Sequence, residues 1–213
     1  PTEQTGARRH ARELQGGDRI GRYVILTRIG HGGMGIIYGA QDPDLDRRVA
    51  LKFLLAGDGA GNLGSARLLR EAQSLAQLSH PNIVAVHDVG ILDDRVWIAM
   101  ELLDGPNLAA WIHEKPRHWR EVLPVFVQAG TGLQAAHAAG FVHRDFKPEN
   151  VMFGRDGRVR VVDFGLARVE QAKSGSAQAD SKTPTPRPNE TRLTMTGSLL
   201  GTPRYMAWEQ WRG

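Results

Sequence analysis

The chain has no cysteine among its 213 residues. That excludes a disulfide framework and any thiolate metal site, and it fits a reducing, cytoplasmic setting. No apolar run approaches the roughly 20 residues that a membrane-spanning helix needs, so no membrane segment is expected within this chain. No secretory signal opens it. It starts on Pro1 rather than Met, and the expectation is a piece of a longer polypeptide. Dense basic blocks are missing too. The net charge is +4 and the pI about 9.8, but Lys and Arg are scattered apart from Arg8, Arg9 and Arg12. A scattered excess is a solvated surface, and nucleic-acid binding is not expected. Internal repeats are absent. The remaining composition, 41% hydrophobic and 23% charged, is that of an ordinary globular protein.

Chemistry concentrates in one stretch, FVHRDFKPENVMFGRDGRVRVVDFGLA, which starts at Phe141. It holds His143-Arg144-Asp145, Lys147, Asn150 and Asp163-Phe164-Gly165. An apolar hairpin, Val151 to Phe153 and Val159 to Val162 with its turn at Gly157, joins the two polar loops. A tight hairpin brings its ends together, so Asn150 and Asp163 should face one point. A carboxylate and an amide with no Cys nearby make a hard-oxygen site that suits Mg²⁺ better than zinc.

Further upstream, Gly30-His31-Gly32-Gly33-Met34-Gly35 has G-x-G-x-x-G spacing. Dinucleotide-binding folds share it, but there the glycines open a helix. Here β-branched Ile36-Ile37 follow, so the loop should join two strands, as a phosphate-covering flap or a plain Gly-rich hairpin does. Glycine would let the backbone approach a phosphate. Lys52 sits in the apolar strand run Val49-Ala50-Leu51, where a cation needs a partner. Glu71, on the inner face of a helix read over Ser65 to Leu78, is the expected one.

Strand candidates are Tyr23 to Ile29, Ile36 to Tyr38, Arg47 to Leu55, Ile83 to Val89 and Val96 to Glu101. Helices are expected over Leu108 to Glu114 and Arg120 to Ala139. Residues 1–19 read as a disordered lead-in. An insert at about 170–191, rich in Ser, Thr and Pro, reads as a disordered loop.

The HRD, Lys, Asn and DFG order resembles the catalytic and metal-binding loops of protein kinases, and VALK resembles that family's V-A-I-K strand. The resemblance runs from Ile20 to Gly213 and looks like the bacterial eukaryotic-like (Hanks-type) Ser/Thr group. It implies an α+β, two-lobed fold. A five-stranded antiparallel small lobe with one main helix would cover 20–101, and an incomplete, mainly helical large lobe 102–213. It implies ATP and Mg²⁺ (or Mn²⁺) as cofactors and Ser/Thr hydroxyls of proteins as acceptors, with homodimerisation left open.

By the same resemblance Asp145 is the catalytic base, Lys147 neutralises the moving phosphoryl group, and Asn150 and Asp163 hold the metal. Lys52 holds the phosphates and Glu71 positions it. Ile29, Gly30, Gly32, Gly33, Gly35, Ile37, Ala50, Met100, Glu101, Leu103 and Met152 bind the nucleotide, with Met100 as gatekeeper. Leu75, Val86, His143 and Phe164 match the stack that couples the lobes. Thr202 seats the substrate and contacts Asp145. Thr194 and Thr196 are candidate phosphosites that Arg144 could pair with, ahead of Ser198 and Thr191.

Two departures stand out. Trp208 replaces the Pro of the A-P-E motif before Glu209. The chain also stops where the family's large lobe continues for roughly 60 to 100 residues, within the usual domain sizes. The isolated chain is therefore expected to show little activity, and Glu209, if buried without its Arg, to carry an uncompensated charge. The alternative is a truncated, pseudokinase-like nucleotide-binding or interaction module.

Overall fold

The computed structural model describes residues 13–32, 35–54, 61–164 and 202–209. The expectations for Gly33, Thr191, Thr194, Thr196, Ser198, the start of the lead-in and the 170–191 insert concern residues outside this set.

Alternating apolar residues build a six-stranded antiparallel sheet in the order β1-β2-β3-β4-β6-β5. Its strands are β1 (Arg19–Ile20), β2 (Tyr23–Gly32), β3 (Gly35–Asp42), β4 (Arg47–Leu54), β5 (Val86–Leu92) and β6 (Arg95–Glu101). The period of two divides the sheet into faces. Trp97 and Ala99 of β6 join Tyr23, Tyr38, Leu51 and Phe53 on one face. Val96 and Ile98 join Leu54 on the other, under Leu68, Ala72 and Leu75 of α1 (Gly61–Ala76). Edge-to-face pairs Tyr23–Trp97 (5.8 Å) and Tyr38–Phe53 (6.0 Å) fill the first face.

The sixth strand corrects the sequence reading. Five strands were expected and residues 1–19 were expected to be disordered, yet β1 pairs Ile20 with Tyr23 across a turn containing Gly21 (φ 56°). Before it, Gly17 N donates to Ile25 O (2.8 Å) and Leu14 N to the Tyr38 hydroxyl (3.3 Å). Residues 13–18 are thus fastened to the small lobe by the backbone, which hydropathy does not reveal.

The second part of the chain carries α2 (Leu108–Glu114), α3 (Trp119–Ala138) and the hairpin β7 (Val151–Phe153) and β8 (Val159–Val161). α3 starts in a capping box formed by His118 and Glu121. Val125, Ala129, Gly132 and Ala136 recur at helical spacing on its buried face. Gly132 is required there, because a Cβ would meet the Asn82 carbonyl oxygen. Asn82 ties the lobes together: its Nδ2 donates to Val159 O (2.8 Å), and its carbonyl accepts from Val161 N (2.9 Å). Trp119, Leu123 and Val127 of α3 are exposed. Among the described residues no helix is long and apolar enough to cross a membrane.

Candidate active site

The glycine loop joins β2 to β3, with Gly32 opposite Gly35. A strand, not a helix, follows the glycines, which removes the dinucleotide-fold alternative. Gly35 has φ 139°, and a Cβ on it would collide with the Phe53 carbonyl, so no other residue fits.

Beneath this flap lies a cleft of about 260 Å³, near the lower end of small-molecule sites. Of the residues expected from the sequence, Ile29, Ile37, Ala50, Met100, Glu101, Leu103, Met152, Asn150 and Asp163 all line it. Val84 and Val162 line it too and were missed. Each reads as plain core, and their only local signal is position beside His80-Pro81-Asn82 and the Asp163 loop. Met100 also lines a smaller cavity of about 30 Å³, shared with Leu75, Val86 and Phe164. Phe164 is buried and its ring lies tilted against that of His143, 4.8 Å between centroids, so the residues matched to the coupling stack lie together.

Lys52 is found on β4 with its side chain 6% exposed, yet its partner is not the expected one. Its ammonium lies 2.7 Å from Asp163 Oδ1. Lys52 and Glu71 form no ion pair among the described residues. Glu71 is half-buried on α1. Burial raises its pKa, while Arg144 and Arg67 lower it. The physical reason lies in backbone placement. Asp163, with φ 61°, brings its carboxylate to Lys52 of β4, and a buried ammonium takes the nearest anion.

The loop before β7 is held by its own side chains. Arg144 takes φ 63°, an uncommon conformation for a non-glycine residue. It separates buried His143 from buried Asp145. Asp145 N donates to His143 Nδ1 (3.3 Å), which leaves Nε2 as the donor to Val162 O (2.8 Å). Lys147 Nζ bridges Asp145 Oδ2 (3.1 Å) and Thr202 Oγ1 (2.9 Å). Thr202 N also donates to Asp145 Oδ1 (3.3 Å). Asn150 Nδ2 donates to Asp145 O (2.9 Å). Asp145, Lys147 and Thr202, expected to act together, therefore meet.

Burial lowers the His143 pKa from the usual histidine value, with the Val162 carbonyl opposing. Burial likewise lowers His87. The unfolded chain takes up protons on these histidines as pH falls below about 6.5, while the folded chain does not until lower pH. Their effect on stability is absent above about pH 7 and unfavourable below about 6.5. Glu71, with a raised pKa, acts in the opposite sense, so a comparison is needed. The melting temperature of the wild type should fall between pH 7.5 and 5.5, and His143→Asn should show a shallower fall. Equal slopes would contradict the buried neutral imidazole.

At the far end, Pro203–Tyr205 forms a single 3₁₀ turn and Trp208 is 68% exposed. Glu209 is exposed, so the expected cost of burying its charge does not arise. Water solvates it instead.

The protein kinase domain model matches residues 23–211. PrkC, a Ser/Thr protein kinase of Bacillus subtilis, is 39% identical over 92% of this chain and 28% of its own length. A probable Ser/Thr protein kinase of Lactococcus lactis, PknB, is 36% identical over 90% of this chain and 28% of its own. The crystal structure of the Mycobacterium tuberculosis PknI kinase domain aligns with a TM-score of 0.64 at 33% identity. It covers 73% of this chain and 64% of that one. The chain thus spans under a third of those two curated relatives, but the match, the sheet, the glycine flap and the HRD and DFG loops agree: the chain belongs to the protein kinase domain family.

Proposed function

We propose that this chain transfers the γ-phosphate of ATP, with Mg²⁺ or Mn²⁺, to Ser/Thr hydroxyls of proteins, including its own. The observation that carries this reading is the meeting of Asp145, Lys147 and Thr202 beside the cleft that Asn150 and Asp163 line. The donor set fits the cofactors: an amide and a carboxylate are hard-oxygen ligands, and the apolar walls suit a purine. Bound ATP with its metal supplies the phosphoryl group and offsets its charge.

The chain's own residues do the rest. Ile29, Ile37, Ala50 and Met152 would enclose the ring, the Glu101 carbonyl and Leu103 N–H would meet its edge, and Met100 would close the back of the site. Gly30, Gly32 and Gly35 would let the flap approach the phosphates. Lys52 supplies positive charge to them, and Asn150 and Asp163 are the residues that would hold the metal. Asp145 orients the acceptor hydroxyl and takes its proton. Thr202 and Lys147 fix both carboxylate oxygens of Asp145, so the base is oriented before substrate arrives. Lys147 also balances the charge that spreads over the moving phosphoryl oxygens.

A second reading, a nucleotide-binding module without transfer, draws on the pairing of Lys52 with Asp163 in place of Glu71. Calorimetry on the chain and labelled-phosphate transfer by the full-length protein separate the two. ATP should bind at least tenfold more weakly without Mg²⁺, and Lys52→Ala should weaken binding or abolish transfer. Equal affinity with and without metal, unchanged in Lys52→Ala, counts against the proposed site and leaves at most a metal-independent nucleotide-binding module. Metal-dependent binding without transfer leaves the module. Analytical ultracentrifugation of the same preparation decides on a homodimer.

A further inference from the structure

Two segments beside the cleft, the α1–β5 loop and the crossover after β6, are fastened to the β7–β8 hairpin. Along the first, Val84 N donates to Val161 O (3.1 Å). Along the second, Phe153 N donates to Pro106 O (3.1 Å), and Asp104 forms an ion pair with Arg155. The innermost fastening of the second segment is Arg160. Its Nε lies 2.9 Å from Glu101 Oε2, while Nη1 and Nη2 each lie 2.9 Å from the two oxygens of Asp156.

This is not an ordinary surface ion pair, whose net value is small. The Arg160 side chain is 14% exposed and the Asp156 arm is bidentate, which fixes the guanidinium plane. Hydrogen bonds from Arg160 hold the Asp156 carboxyl well below the usual carboxylate range. Space for the arrangement comes from Gly154, where a Cβ would overlap Arg160 Nη1 and Asp156 Oδ1.

Arg160 is placed to act on the cleft without lining it. It stands opposite Met152 in the β7–β8 register, and it holds the side chain of Glu101. Both Met152 and Glu101 line the cleft. Its sequence neighbours Val159 and Val161 are fully buried on the other face of the hairpin.

We propose that Arg160, oriented by Asp156, is a positioning residue for purine recognition, holding Glu101 so that the 101–103 backbone presents its edge to the ring. The proposal rests on the nucleotide reading above. It acts through Glu101 and touches no ligand, so it should affect the purine end of the site and not the phosphate end.

The test is calorimetric titration of the whole chain with adenosine and, separately, with magnesium tripolyphosphate. Arg160→Leu and Glu101→Gln should each weaken adenosine at least tenfold and leave tripolyphosphate within about twofold. Arg160→Lys, which can pair with Glu101 but not also grip Asp156 in two-pronged fashion, should recover part of the loss. Circular dichroism melts monitor folding, and Glu101→Gln carries the test if Arg160→Leu unfolds. Unchanged adenosine affinity in a folded variant, or equal losses for both probes, overturns the role of Arg160. Failure of the wild type to bind ATP would refute the nucleotide reading itself.

Discussion

Asp145→Asn is expected to slow phosphoryl transfer by about 10²–10⁴-fold, the usual worth of a positioned general base, with ATP affinity unchanged. The substitution keeps the shape and one acceptor oxygen, so the hydrogen bonds from Thr202 N and Oγ1 to Oδ1 can persist. What it removes is the negative charge that pairs with Lys147 and that the proposed base would need to take the acceptor's proton. Phosphate on Thr194 and Thr196 should vanish with the activity. Rapid-quench kinetics with labelled ATP and phosphopeptide mapping, both on the full-length protein, read the two effects. A variant that transfers at the wild-type rate, or wild-type protein active yet unmodified at both threonines, would show the assignment to be wrong.

Breaking the pair of Lys52 with Asp163 should have the next largest effect, this time on stability, and unequally for the two partners. The Lys52 side chain is 6% exposed and that of Asp163 is 23%. Asp163→Asn suits φ 61°, which Asn tolerates, but it leaves a buried ammonium without its anion, at a cost of about 3 kcal/mol. Lys52→Met leaves a carboxylate that water partly reaches, at a cost of about 1–2 kcal/mol. The double variant should cost less than the sum by about 1–3 kcal/mol. Against a typical domain stability of about 5–15 kcal/mol, urea unfolding resolves these differences. Strict additivity would mean that the 2.7 Å contact carries no coupling.

Those expectations rest on different kinds of information. Local spacing in the sequence determined the hairpin that brings Asn150 near Asp163, the flap between two strands, the helical spacing of Leu68, Ala72 and Leu75, and the wall residues Ile29, Ile37, Ala50 and Met152. Each depends on backbone geometry over a few residues, or on a resemblance that fixes register along the chain. Tertiary structure alone decided which anion Lys52 meets, because Glu71 and Asp163 ride on separate elements. A shift of α1 against the sheet changes that choice without changing a residue. It also decided that residues 13–18 join the sheet through backbone groups, that Glu209 faces water, and that Arg160 reaches Glu101 across 59 positions of sequence. Pattern reports which side chains share a face of one element, whereas the partner of a buried charge is set by how separate elements pack, since Coulomb and desolvation energies depend on distances of a few ångströms in space.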